Sequence, residues 1–257
     1  MNIKRQAIGL YTIVRREWVR MFRISSQVFL PPVIQTLLYF LIFGTVIGDR
    51  VGVVQGVSYM SFIAPGLIMM MVITNAYSNV CTSLFNVRFQ KSIEGLLISP
   101  IHYSLILLGY TLGGVIRGVI VACLVFIVAS FFISFDLHRL PMTLLVVVLV
   151  AILFSLAGFL NGMLARNFDD VVLVPTFILT PMTYLGGVFY ATSMLPPFWQ
   201  KFSLINPIFY MVNAVRHAMI GTQEINMSVA MLLIGIVLVI LMAINLRLLK
   251  KGVGLRE

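Results

Sequence analysis

Residues Met142 to Ala165 read MTLLVVVLVAILFSLAGFLNGMLA, a run without one charged side chain. A helix rises about 1.5 Å per residue, so a run of this length spans the ~30 Å hydrocarbon core of a bilayer. Five more runs of the same kind flank it: Gln27 to Ile47, Val57 to Cys81, Leu105 to Ile133, Val171 to Tyr190 and Met227 to Leu249. The expected fold is therefore an all-α membrane protein with six transmembrane helices. With 60% of its 257 residues hydrophobic and a mean hydropathy of +1.05, the chain has too little polar material for a separate soluble domain. Residues 1–257 read as one membrane domain.

The eight acids, Glu17, Asp49, Glu94, Asp136, Asp169, Asp170, Glu224 and Glu257, all fall in the connections. A proton-driven carrier keeps an ionisable carboxylate at membrane depth, where it loads and unloads. The driving force is expected from elsewhere.

The net charge of +10 is a statement about topology. With a cytoplasmic N-terminus, Lys4, Arg5, Arg15, Arg16, Arg20, Arg23, Arg88, Lys91, Arg166, Arg247, Lys250, Lys251 and Arg256 fall inside, against Arg50, Arg139, Lys201 and Arg216 outside. That asymmetry is the positive-inside pattern. It places both termini in the cytoplasm and removes the reason to invoke nucleic acid. Arg117 alone lies within a span. Cys81 and Cys123 fall in or beside spans, where they read as small apolar fillers rather than a disulfide. Lys4 to Arg23 mixes basic and apolar residues ahead of the first span and shows no signal-peptide cleavage pattern, so that span is expected to be retained.

Lys4 to Arg23 is amphipathic at helical period. Ile8, Leu10, Tyr11, Val14, Trp18, Val19, Met21 and Phe22 share one face, with Arg5, Arg16, Arg20 and Arg23 on the other. Such a helix is expected to lie in the membrane interface with its arginines toward anionic headgroups. Small residues four apart, Gly109 and Gly113, Gly114 and Gly118, Gly158 and Gly162, allow close approach of helix backbones. No inverted repeat is visible, as a repeat-built secondary carrier would show.

Two connections carry most of the information. In Thr82 to Ser104, Phe85, Phe89, Ile93, Leu96 and Leu97 form an apolar stripe beside Arg88, Lys91, Glu94 and Gly95, and Ser99-Pro100 stops the run. This reads as a short cytoplasmic helix, either interfacial or a lever docking into another protein. In Ala191 to Asn226, Phe198, Trp199, Phe202, Phe209 and Tyr210 sit among the breakers Pro196, Pro197, Asn206 and Pro207. That segment is too apolar for a free loop, and two short external re-entrant helices are expected between spans five and six. As a gate they would be formed by Trp199, Phe202, Asn206, Pro207 and Tyr210, with Trp199 buried at rest.

The run Ile93-Glu94-Gly95-Leu96-Leu97-Ile98-Ser99-Pro100 resembles the cytoplasmic coupling segment of ABC-2 type permeases, the membrane subunits of a class of ATP-binding-cassette exporters. Asp169, Pro175, Tyr184-Leu185-Gly186-Gly187-Val188-Phe189-Tyr190, Leu195-Pro196, Trp199, Asn206-Pro207, Tyr210 and Arg216 resemble that family's C-terminal signature in order and spacing. The resemblance implies a six-span subunit in the bacterial cytoplasmic (inner) membrane. It also implies pairing with a copy of itself, a pathway at the dimer interface, and two copies of a separate ATP-binding subunit. ATP and Mg would reside on that partner, with no cofactor on this chain. In keeping with this, the P-loop pattern Gly-x4-Gly-Lys-Ser/Thr is missing: Lys91-Ser92 follows Gln90, with Phe85 where the first glycine belongs.

The residues expected to meet the ATPase subunit are Arg88, Lys91, Glu94, Gly95 and Pro100; a solvated polar face is the plainer reading of the charges. Gln35, Asn75, Asn79 and Arg117 are candidate pathway residues. Intramembrane amides also join helix to helix, and Arg117 could pair with Asp169 or Asp170 or simply snorkel to the surface. His102, His138 and His217 show no metal-ligand spacing. Three functions compete: an ATP-driven exporter of a lipid, lipid-linked glycan or amphipathic drug; a secondary carrier or channel; and a non-transporting scaffold.

Overall fold

A computed structural model describes residues 3–92, 101–222 and 224–252. Helix α1 (Ile3–Arg23) leads into α2 (Ser25–Tyr39), which runs on through a π-helical stretch (Phe40–Ile47) into a last turn, α3 (Gly48–Val51). A two-residue antiparallel hairpin follows, β1 (Val53–Val54) against β2 (Val57–Ser58). Gln55 and Gly56 both take positive φ in its turn, the backbone a tight hairpin requires. This hairpin is a small departure from the all-helical expectation. Next come α4 (Tyr59–Phe89), α5 (Tyr103–Ser130), α6 (Leu140–Leu164), α7 (Phe168–Val174), a π stretch (Pro175–Leu179) and α8 (Thr180–Tyr184). The chain closes with α9 (Pro197–Ile205), α10 (Pro207–Ile220) and α11 (Met227–Lys251).

Helix starts are marked by side chains that accept the orphan N–H groups of the first turn. Ser58, Asn167, Asn206 and Asn226 each cap the helix that follows, and Asp169 and Asp170 add negative charge to the first turn of α7. Gly221 and Gly252 end α10 and α11 in the left-handed conformation.

Among the described residues, five helices are long and apolar enough to cross a membrane: Ser25–Ile47, Tyr59–Phe89, Tyr103–Ser130, Leu140–Leu164 and Met227–Lys251. The expected fifth span, Val171 to Tyr190, differs. Phe168–Tyr184 is one helical rod made of segments of 7, 5 and 5 residues, at the short end of what reaches across hydrocarbon. Pro175 and Pro181 each remove a backbone donor, which accounts for the π distortion. Beyond Tyr184 the chain turns at Gly187, φ +75°, instead of continuing as helix. The second span also differs, because α4 extends eight residues past Cys81 to Phe89 and absorbs the first part of the expected coupling helix. Of the remainder, Ile93 to Pro100 lies outside the described residues, and Tyr103 and Ser104 open α5.

The core is built around α4, with Phe62, Leu67, Met69, Val72, Ile73 and Tyr77 all buried. Helices α5, α6 and α10 surround it. The glycine pairs permit this packing: a Cβ on Gly158 would stand 2.3 Å from the Tyr77 carbonyl oxygen, and one on Gly162 would stand 2.8 Å from that of Cys81. Gly109 and Gly113 serve α1 instead, facing Ile13 and Glu17. Cys81 is buried and Cys123 exposed, both free thiols.

Helix α1 packs along the bundle. Ile13, Glu17 and Met21 are buried against the bundle, whereas Ile8, Tyr11, Trp18 and Phe22 face outward. Arg16 and Arg20 do not project away from the protein. Arg16 donates to the Tyr110 hydroxyl at 2.5 Å, and Arg20 donates to Asn79 Oδ1 at 2.8 Å and to Glu17 at 2.9 Å. A desolvated carboxylate needs donors, and Glu17 finds them in Arg20 and in Ser83, 2.5 Å away.

Candidate functional site

One face of α4 carries Asn75, Asn79 and Ser83, spaced one helical turn apart. Each is engaged by a charged residue of another helix. Arg117 of α5 donates to Asn75 Oδ1 through Nε at 3.2 Å and Nη2 at 3.0 Å. Arg20 takes Asn79, and Glu17 takes Ser83. Arg117 therefore neither snorkels nor pairs with Asp169 or Asp170. Asp170 instead accepts from the backbone N–H of Arg166 at 2.8 Å.

Around Arg117 and Asn75 lies a concavity of about 260 Å³ walled by α2, α4, α5 and α8, with Gln27, Gln35, Thr74, Ser78, Thr180 and Tyr184 supplying further polar groups. Gln35 donates to the Tyr39 hydroxyl at 3.2 Å, and that hydroxyl lies 3.2 Å from the Tyr184 hydroxyl. Three of the four candidate pathway residues thus line one notch. The fourth, Asn79, is buried one turn away and is occupied by Arg20. The amide that holds Arg117 is neutral, and no carboxylate lies within ion-pair distance of it among the described residues. A guanidinium at membrane depth without a counter-charge is a marker of a functional site.

At the opposite end of α4, α10 is buried along most of its length. Its Arg216, placed outside the spans by the sequence, is wholly enclosed. It donates to the Gly187 carbonyl at 2.6 Å and lies 3.9 Å from the Phe62 ring centroid. Asn206 is extended, as a residue before proline must be. Its side chain caps Ile208 at 3.0 Å and donates to the Met182 carbonyl at 2.6 Å. Pro207 opens α10, and Tyr210 donates to the Leu204 carbonyl at 2.8 Å. Trp199, expected to be buried, is 44% exposed, and Phe198 and Phe202 beside it are exposed too. Helix α9 covers little of the rest of the chain and presents these aromatics outward.

Residues 9–220 match the family model described as ABC-2 type transporter. The chain is 48% identical over 250 residues to the inner membrane transport permease YadH of Escherichia coli K12, covering 97% of this chain and 98% of that one. The chain belongs to the ABC-2 type transporter family. More distant similarity extends to nodulation protein J, at 22% identity over 215 residues in Rhizobium meliloti, covering 83% of this chain and 82% of the relative. The Bradyrhizobium diazoefficiens protein of that name is 26% identical over 186 residues, covering 72% and 70%. The ABC-2 match takes in most of α1 and all of α10, and with them the notch and the buried Arg216.

ABC-2 permeases work with ATP-binding subunits, and the C-terminal end of α4 carries the first of the residues expected to meet one. Arg88 there donates to the Gly162 and Ala165 carbonyls at 2.8 and 3.0 Å, capping the end of α6. Lys91 is exposed with φ +55°. Glu94, Gly95 and Pro100 lie outside the described residues. Phe85, Phe89 and Phe168 make an edge-on aromatic cluster with centroids 4.9 Å apart across α4 and α7. Phe89 and Phe168 remain exposed in it. Sequence reasoning gave no role to Asn245, a lone amide in the last apolar run; it is buried and donates to the Leu156 carbonyl at 3.0 Å, joining α11 to α6.

Proposed function

We propose that this chain is the membrane subunit of an ATP-driven exporter, moving a lipid, lipid-linked glycan or amphipathic drug out of the cytoplasm or inner leaflet. The observation that carries this reading is the Arg117–Asn75 notch: a polar cavity at membrane depth, open beside α2 and α8, in a chain whose spans hold no carboxylate away from their ends to run a proton cycle. The chain lies in the inner membrane, as the name of its YadH relative describes, with both termini cytoplasmic. Phe168–Tyr184 serves as the fifth of six spans, and α9 and α10 dip into the membrane from the outer side as the gate. Two copies pair so that their notches share one pathway. Two ATP-binding subunits dock at the C-terminal end of α4, where Phe89, Phe168 and Lys91 are exposed and Glu94, Gly95 and Pro100 follow in sequence.

The test is co-purification with the ATP-binding subunit and reconstitution in proteoliposomes. ATP hydrolysis by the partner should rise when this chain is present, and lipid identified by mass spectrometry of the complex should be moved only with ATP. Transport that persists with a hydrolysis-dead partner would make the chain a secondary carrier, and neither activity would make it a scaffold.

A further inference from the structure

Between α1 and the C-terminal end of α4 lies a second, larger concavity of about 770 Å³, to which Arg15, Arg16, Arg20 and Arg23 all contribute. Four arginines line it, and Glu17 is the one carboxylate paired with any of them among the described residues. That carboxylate already serves Arg20 and Ser83. Arg15 and Arg23 are exposed and have no hydrogen-bonding or ionic partner among the described residues. The buried Nε of Arg20 has none either. Thr12, Ser83, Asn86 and Gln90 line it as well, together with the apolar Val19, Ile24 and Val87. Outside the groove, the apolar face of α1 carries Trp18 and Phe22, exposed and in contact at 4.6 Å.

We infer that this groove is a binding site for a phosphate-bearing anion, with the headgroup of an anionic phospholipid as its membrane source. Guanidinium forks match phosphate oxygens two at a time, and basic pockets beside membrane helices are where anionic headgroups are held. The packing of α1 adds specificity. Arg16 and Arg20 are pinned by Tyr110 and Asn79, so two of the four cations are already oriented and Arg15 and Arg23 close on the ligand from the rim. The apolar wall gives the first acyl carbons a place beside the headgroup.

Thermal unfolding of the full chain in a neutral detergent, with phosphatidylglycerol, phosphatidylcholine or inorganic phosphate added, tests the site. Phosphatidylglycerol should raise the melting temperature by several degrees where phosphatidylcholine does not. The double variant Arg15→Gln with Arg23→Gln should lose most of that rise, whereas Lys4→Gln with Arg5→Gln, which removes equal charge from the same helix, should keep it. A rise with inorganic phosphate that the rim variant abolishes identifies a soluble phosphate as a sufficient ligand. A rise with lipid alone identifies the headgroup. Equal rises in both double variants, or with both lipids, would overturn the site, because the effect would then be diffuse charge. Native mass spectrometry of the unsubstituted protein gives a reading free of folding effects: retained phosphatidylglycerol should fall when excess phosphate competes, and lipid retention indifferent to phosphate would count against the site.

Discussion

Glu17 of α1 accepts a hydrogen bond from Ser83 of α4 at 2.5 Å, across 66 residues of sequence. The contact makes the N-terminal helix part of the bundle. Glu17 is 2% exposed, so replacing it by Ala leaves Ser83 without its acceptor and Arg20 without its counter-charge. Breaking a buried pair from one side costs about 3–5 kcal/mol, and the partial exposure of Arg20 lowers the expectation to about 2–4 kcal/mol. Ser83→Ala removes one hydrogen bond and should cost about 1–2 kcal/mol. Thermal unfolding in detergent measures both, and a Glu17→Ala protein that melts with the parent would show that α1 docks without this cluster.

Packing at α4 and α6 gives a second expectation. Gly158→Ala puts a methyl group 2.3 Å from the Tyr77 carbonyl oxygen, and helix backbone cannot yield as a side-chain tip can. Overpacking of this kind costs about 1–3 kcal/mol or more. Gly235, on the outer helix α11, has nothing within 4 Å of a Cβ, so Gly235→Ala should be neutral or slightly stabilising. Equal melting of the two variants would mean that α4 and α6 are not held this closely.

Arg117 is expected to read a polar or anionic group of the transported molecule. Arg117→Gln removes a charged donor worth about 1.5–3 kcal/mol, and apparent substrate affinity in the reconstituted complex should fall about 10- to 100-fold. Asn75→Asp supplies the carboxylate that the notch lacks, neutralises Arg117 locally, and should weaken transport while leaving assembly with the ATP-binding subunit intact. Wild-type transport in both variants would move the pathway away from this notch.

Arg216 is the largest wholly buried side chain among the described residues, held by the Gly187 carbonyl and stacked on Phe62. Lys cannot reproduce the planar donor fork. Arg216→Lys should cost about 2–3 kcal/mol by leaving the carbonyl poorly paired and the charge without its ring. Expression level and melting temperature read the loss. A Lys variant as stable as the parent would show that charge alone suffices there.

The membrane character of this chain was legible residue by residue, because a backbone in hydrocarbon must satisfy itself as helix and its side chains must be apolar. Hence Met142 to Ala165 and four of its five counterparts appear as long apolar helices, and Asn206-Pro207 breaks the chain between α9 and α10. Those are local requirements. Partnership is different: Asn75, Asn79 and Ser83 can be seen to share a helical face, but nothing local says that Arg117, Arg20 and Glu17 will meet them from 42, 59 and 66 residues away. The same holds for α1, whose amphipathic pattern defined two faces without saying which one met protein. Tertiary structure drew Arg16, Glu17 and Arg20 toward the bundle because α4 and α5 offered Asn79, Ser83 and Tyr110 as partners, and left Arg5 and Arg23 exposed along with Ile8, Tyr11, Trp18 and Phe22.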